Sequence, residues 1–146
     1  MNHLISNALQ TYRGIAHPWL CDAFDHLNTR HYVAMFDDAS FHFFSLLGFS
    51  YHSLAVDKRG WADVKAELEF KREVPRGELV VVYTGLVALG NKSLTYRHEM
   101  RNADDPECLH ATMETVTAHF DLVTRKALPL PEGFRLKAEQ YLIPSQ

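Results

Sequence analysis

The pattern that most constrains the fold is a long amphipathic helix that follows a polar loop. Asn28 or Thr29 can cap its start, because both side chains can accept hydrogen bonds from the first N–H groups. Gly48 suits the position just past its end. A helix of roughly 18 residues is about 27 Å long, which is enough to cross a small sheet. Its apolar face consists of Tyr32, Phe36, Ala39, Phe43, Leu46 and Leu47.

Strand patterns lie on both sides of this helix. Residues 11–17 alternate loosely and predict a first strand. Alternation, β-branched residues and turn signals predict further strands at residues 61–70, 79–89, 93–101 and 107–123. Of these, residues 61–70 read as a half-buried strand and residues 79–89 as a central one. A short strand near residues 53–56 is also expected, and residues 132–141 suit a terminal helix.

This order of elements defines a fold class. One long helix followed by strands joined through short turns predicts an α+β fold with an antiparallel meander. The length of 146 residues fits a single domain spanning residues 1–146. The sheet is expected to have about five to six strands and to wrap the helix.

The composition excludes several classes of protein. The net charge is −3 and the basic residues are scattered, so nucleic acid is not an expected partner. No window approaches the ~18 apolar residues of a membrane span, and residues 1–10 do not resemble a signal peptide. Cys21 and Cys108 form no CxxC pair and are expected to be reduced thiols. A cytoplasmic protein without membrane partners is therefore expected.

The candidate chemistry lies in the loop before the helix. Asp22 can act as an acid, a base or a nucleophile, and free N–H groups at the helix start can hold an oxyanion beside it. Asp25, His26 and Asn28 follow in the same polar turn. A structural interpretation also remains open, in which Asp22 is a turn residue, Asn28 only a cap and His26 a partner of the backbone.

Other kinds of site fail on their sequence patterns. The nine histidines include no HExxH motif, and no CxxC pair exists, so no metal is expected. There is no GxGxxG or Walker sequence and no complete nucleophile elbow. No cofactor is expected.

Residues 22–32 (DAFDHLNTRHY) and 36–39 (FDDA) carry a family resemblance. They resemble the loop-and-helix signature of hotdog-fold acyl-CoA thioesterases, and the 4-hydroxybenzoyl-CoA thioesterase group is the most similar. The resemblance covers roughly residues 12–130, since the order of the strands also agrees. Asp25 stands where the family usually has Gly, a residue that tolerates backbone angles most others avoid.

The resemblance implies roles for individual residues. It implies a hotdog fold and hydrolysis of an acyl-CoA thioester, in which coenzyme A is part of the substrate. Asp22 matches the catalytic carboxylate, the N–H groups near Asn28 and Thr29 match the oxyanion site, and Asp37 matches an acidic position near a neighbouring subunit. His26 is a further candidate base. Candidates for binding CoA phosphates are Lys92, Arg97, Arg125 and Lys126. A homodimer or homotetramer with shared active sites is also implied.

The acyl group stays open at this stage. Residues 91–98 and 113–121 are similar to thioesterases of bacterial carnitine breakdown, which act on a betainyl thioester. Trp19, Phe24, Tyr32 and Trp61 could cage a quaternary ammonium group, with Asp25 adding a favourable charge. Fatty acyl and aromatic acyl groups are alternatives. A non-catalytic acyl-CoA-binding protein is a further one, although such a protein would not need Asp22.

Overall fold

The computed structural model describes residues 7–144, so part of the N-terminal segment discussed above lies outside the described residues. The strands are β1 (Leu9–Ile15), β2 (Arg59–Phe70), β3 (Leu79–Leu89), β4 (Ser93–Asn102) and β5 (Leu109–Asp121). The helices are α1 (Thr29–Leu46), α2 (Tyr51–Ala55) and α3 (Glu132–Glu139), with a 3-10 turn at Pro18–Leu20. The five main strand predictions and both long-helix predictions are confirmed to within a few residues.

The strands form one antiparallel sheet in the order β1-β3-β4-β5-β2. β3, β4 and β5 are neighbours in a meander, as predicted. β3 is also a central strand as predicted, since it pairs with β1 on one side and β4 on the other. β2 departs from the meander, because it pairs with β5 instead of β3. The reason lies in residues 71–78, which bond to His110 and Ala16 and so cross to the far side of the sheet instead of closing a hairpin.

The predicted strand near residues 53–56 is wrong, since residues 51–55 form helix α2. The N–H of Leu54 donates to the carbonyl of Ser50, and the N–H of Val56 donates to that of His52 at 2.8 Å. These local bonds satisfy the backbone without a partner strand.

The core lies between α1 and the inner face of the sheet. The first half of the helix packs Phe36 and Ala39 against Val82 and Met100. The second half packs Phe43 and Leu47 in a cluster with strand residues and with α3. Leu46 is the exception on the predicted apolar face, since it remains exposed. Burial of this face fixes the rotation of α1, and with it the direction of the loop at its N-terminus.

Within residues 7–144 no further strand pairs with either edge of the sheet, and β2 is the longer edge strand. Its alternation predicted a half-buried strand, yet Val64 is 66% exposed and Phe70 53% exposed. A bulge between Asp63 and Lys65 interrupts its register with β5. The strand is therefore correctly predicted, but within one chain its apolar residues lack a cover.

A chain of polar side chains crosses the core beneath α1. Ser40 Oγ lies 2.8 Å from His98 Nε2, and His98 Nδ1 lies 2.6 Å from Thr84 Oγ1. Thr84 in turn bonds to Thr11 at 2.8 Å. The His98 ring stacks on Phe36, with the ring centroids 5.3 Å apart. Burial lowers the pKa of His98 to about 3, so this imidazole is neutral in the folded protein at neutral pH.

His98 should make stability fall in acid. Its pKa is lower in the folded than in the unfolded chain, so its contribution is complete above an unfolded pKa of about 6.5 and is lost as the pH falls toward about 3. The expected loss is roughly 1 kcal/mol of unfolding free energy per pH unit. Urea unfolding at pH 7.5 and 5.5 should show this component in the wild type and not in His98→Gln. Equal acid sensitivity of the two proteins would contradict it.

Candidate active site

A tightly bonded loop places Asp22 directly before α1. The N–H of Asp22 donates to the carbonyl of His26 at 3.1 Å, and the N–H of Asp25 donates to that of Asp22 at 2.9 Å. The N–H of Asn28 donates to the carbonyl of Leu20 at 2.9 Å, which ties the loop to the 3-10 turn. The loop is thus a fixed support for the carboxylate.

The Asp22 carboxylate is held at both oxygens. Oδ1 accepts from the N–H of Phe24 at 2.9 Å, and Oδ2 accepts from the side-chain amide of Asn28 at 3.3 Å. The side chain is half-buried and lines a cleft of about 350 Å³. Hydrogen bonds to both oxygens restrict the rotation of this side chain. The geometry therefore presents an oriented carboxylate to this cleft.

Asn28 caps α1, as predicted. Its Oδ1 accepts from the N–H of Arg30 at 3.2 Å, and its carbonyl accepts from the N–H of His31 at 2.9 Å. The N–H of Thr29 finds no acceptor among residues 7–144, and Thr29 lines the cleft. Thr29 therefore leaves an available N–H group at the start of α1, in the cleft that Asp22 also lines.

Asp25 takes the left-handed conformation that the family's Gly would favour, with φ of 66°. Its side chain points to Arg76, whose Nε lies 3.1 Å from Asp25 Oδ1. The residue is exposed and does not line the cleft. The left-handed backbone at Asp25 therefore explains why Gly suits this position. The negative charge that Asp25 adds is paired with Arg76.

His26 and Tyr32 both line the cleft. His26 Nε2 lies 3.2 Å from Glu73 Oε2, a contact that joins the Asp22 loop to the opposite wall. Tyr32 is buried and makes an edge contact with Phe70, with the ring centroids 5.1 Å apart. Burial raises the pKa of Tyr32, against the effect of its hydrogen bond to the Val74 backbone. Tyr32 thus belongs to the core and to the floor of the cleft at once.

The opposite wall was missed by the sequence reasoning. It consists of Phe70, Lys71, Arg72 and Glu73, at the end of β2. Phe24, a predicted member of the cation cage, lines the cleft on the loop side. The available signal was the pair of cations directly after a strand pattern and before Pro75. Nothing local in the sequence shows that this segment faces Asp22, some fifty residues earlier.

Two other candidate residues lie away from the cleft. Trp19 is 74% exposed and stacks on His17, with the ring centroids 4.3 Å apart. Asp37 lies on the exposed side of α1, opposite Asp63 of β2. Partial burial, followed by the charges of Asp63 and Asp38, raises the pKa of Asp37. This acidic position therefore faces the uncovered region beside β2.

The predicted CoA-binding cations lie apart from Asp22 within one chain. Lys92 is in the β3–β4 turn, and Arg125 and Lys126 follow β5, so all three are near the start of β2. The cleft adjoins the end of β2, which is roughly 35 Å away at ~3.3 Å per residue. Arg97 lies in the middle of β4, with its guanidinium 4.0 Å from Glu114.

The fold and the cleft agree with a known family. The thioesterase-like superfamily matches residues 16–137. The chain belongs to this superfamily. A comparison with curated proteins gives no match.

Solved structures show the same fold. A Staphylococcus aureus protein in complex with CoA is 18% identical, with a TM-score of 0.83 over 97% of this chain and 87% of that chain. A predicted thioesterase of Bacillus stearothermophilus is 22% identical, with a TM-score of 0.75 over 90% of this chain and 96% of that one. A 1,4-dihydroxy-2-naphthoyl-CoA thioesterase of Synechocystis is 18% identical, with a TM-score of 0.75 over 87% and 93%. The expected hotdog fold is confirmed.

Residues 7–144 contain neither a candidate membrane span nor a candidate metal site. No helix in that range is long and apolar enough to cross a membrane. No three His, Cys, Asp or Glu side chains there are grouped so that they could hold a metal ion.

The two roles of Asn28 can be separated by substitution. Asn28→Ala removes the cap and should lower the unfolding free energy by about 1 kcal/mol. Asn28→Asp keeps a capping oxygen and should retain more of this stability, although it removes the amide that donates to Asp22. Denaturant unfolding checks both variants. A fully stable Asn28→Ala protein would contradict the capping role.

Proposed function

We propose that this chain is an acyl-CoA thioesterase, which hydrolyses an acyl-CoA to a free acid and CoA. The observation that carries the proposal is the Asp22 carboxylate in a cleft beside the available N–H of Thr29. Thioester hydrolysis needs an oxygen nucleophile and a donor for the oxyanion that forms, and these two groups supply them. Membership of the thioesterase-like superfamily supports the same activity.

Two routes fit this arrangement. Asp22 can take a proton from water as the water oxygen attacks the thioester carbonyl, or its own oxygen can attack to give an anhydride that water then cleaves. Either attack moves an electron pair onto the carbonyl oxygen, which the Thr29 N–H would bind. Collapse of this intermediate breaks the carbon–sulfur bond and releases the CoA thiolate. His26, which lines the cleft, is the candidate proton donor to that sulfur.

We also propose that the active form is a homodimer joined through β2. This strand is an uncovered edge with exposed apolar residues, and a second copy can pair with it in an antiparallel manner. Antiparallel pairing sets the start of one β2 beside the end of the other. The partner subunit's Lys92, Arg125 and Lys126 would then approach the cleft of Asp22, and Asp37 would face the interface. This arrangement reconciles the predicted cations with their distance from Asp22 in one chain.

The betainyl substrate receives less support than the general activity. Of the four aromatic residues proposed to cage a quaternary ammonium, Phe24 and Tyr32 line the cleft. Trp61 packs instead against Phe44 and Phe134 at the other end of the core. A non-catalytic binding protein would leave the orientation of Asp22 without a purpose. No specific observation favours either of these two alternatives.

Substitution of Asp22 tests the activity. Asp22→Asn should lower kcat at least about 100-fold, because the amide cannot serve as base or nucleophile, while the melting temperature changes little. Release of free CoA from a panel of fatty, aromatic and betainyl thioesters measures the effect. Asp104→Asn, in an exposed turn, is the matched control and should keep full activity. An active Asp22→Asn protein would remove Asp22 from the mechanism, and CoA bound without release would indicate a binding protein.

A charge on the β2 edge tests the dimer. Val64→Lys should shift the protein toward monomer, since the edge residue would be buried beside its copy, and activity should fall with it. Sedimentation velocity gives the mass. Leu136→Lys is a matched control on α3, away from β2. If Val64→Lys leaves the mass unchanged, the β2 interface is wrong.

A further inference from the structure

The segment that forms the far wall of the cleft is held by a buried histidine. The N–H groups of Lys71 and Arg72 both donate to the carbonyl of His110, at 2.8 and 3.0 Å. The His110 ring is enclosed, with the residue only 1% exposed. Its Nδ1 lies 2.9 Å from the carbonyl of Arg72, so this nitrogen carries the proton and donates. Backbone and side chain of one residue thus hold the same short segment.

The other ring nitrogen of His110 contacts a different part of the chain. Nε2 contacts the carboxylate of Glu78. The backbone carbonyl of Glu78 accepts from the N–H of Ala16 at 2.9 Å, at the start of the loop that carries Asp22. The ring therefore connects the two walls of the cleft. The bond at Nδ1 and the contact at Nε2 together restrict the orientation of the ring.

The wall presents one cation whose charge is uncompensated. Lys71 contacts Glu69, and Glu73 pairs with His26. Arg72 lines the cleft and has no ion-pair partner among residues 7–144. A guanidinium group binds phosphate or carboxylate through two parallel hydrogen bonds, provided that its backbone is held in place.

We propose that Arg72 binds an anionic group of the thioester substrate and that His110 is the positioning residue that aims it. The inference rests on the proposed function. The anionic group is either a phosphate of CoA or a carboxylate at the end of the acyl chain. Both offer two oxygen acceptors to the guanidinium of Arg72, and the substrate can be altered at each place separately.

Binding to the non-hydrolysing Asp22→Asn protein tests the role of Arg72. Arg72→Gln in this background should weaken calorimetric binding of succinyl-CoA about 10-fold or more. If Arg72→Gln and its parent bind succinyl-pantetheine equally, the group bound by Arg72 is a CoA phosphate. If the two proteins instead bind propionyl-CoA equally, the group bound by Arg72 is the acyl carboxylate. Arg13→Gln, on the exposed part of β1, is the matched control and should bind every ligand as the parent does. Equal binding of all three ligands by Arg72→Gln and its parent would overturn the proposal.

Substitution of His110 tests the positioning. In the Asp22-intact enzyme, His110→Leu should raise KM as Arg72→Gln does, with kcat within about twofold, and the double variant should be no worse than either. His110→Asn can still donate to the Arg72 carbonyl and should recover part of the loss. If His110→Leu fails to fold, the KM of His110→Asn provides the test. A KM as high as that of Arg72→Gln, or one equal to that of the wild type, would contradict the positioning role of His110. Absence of CoA release by the wild type would refute the proposed function alone, since the binding test does not need turnover.

Discussion

The packing of α1 on the inner face of the sheet is the constraint on which the rest of the structure depends. A helix with a wide apolar face has one favourable rotation against a sheet, because any other would expose Phe36 or Phe43 to water. That rotation sets the direction of its N-terminus. It therefore decides where Asn28 and Thr29 point, and where the preceding loop must run.

The loop before α1 holds the Asp22 carboxylate beside the start of the helix. Its backbone bonds close on themselves between Leu20 and Asn28, so the Asp22 carboxylate cannot swing freely. Asn28 joins two tasks, since one end of its amide caps the helix and the other donates to Asp22. The left-handed residue at position 25 is needed for the tight return of the chain. Asp is among the residues that adopt this conformation at modest cost, which explains why the loop survives without the family's glycine.

Features set by local chemistry could be predicted from the sequence. The bounds of α1 follow from Asn28, the spacing of the apolar residues and Gly48, all within one segment. Contacts across the chain could not be predicted in this way. Arg72 lies opposite Asp22 only because β2 pairs with β5, and no pattern within residues 59–73 specifies that partner. Likewise, alternation in β2 marks an apolar face without telling whether this chain or another copy covers it.

The charged residues and the exposed apolar surface of the chain both point to β2 as an interface. Within a chain, the carboxylate and the basic residues near Lys92 lie at opposite ends of β2, and no further strand in residues 7–144 pairs with either edge of the sheet. In the proposed reaction, a long acyl-CoA would meet Asp22 at one end and cations for its phosphates at the other. The proposed antiparallel pairing of β2 would bury the exposed edge and bring these two ends together. A single interface would thus answer a problem of stability and a problem of substrate binding, which is why we regard β2, rather than β1, as the functional edge.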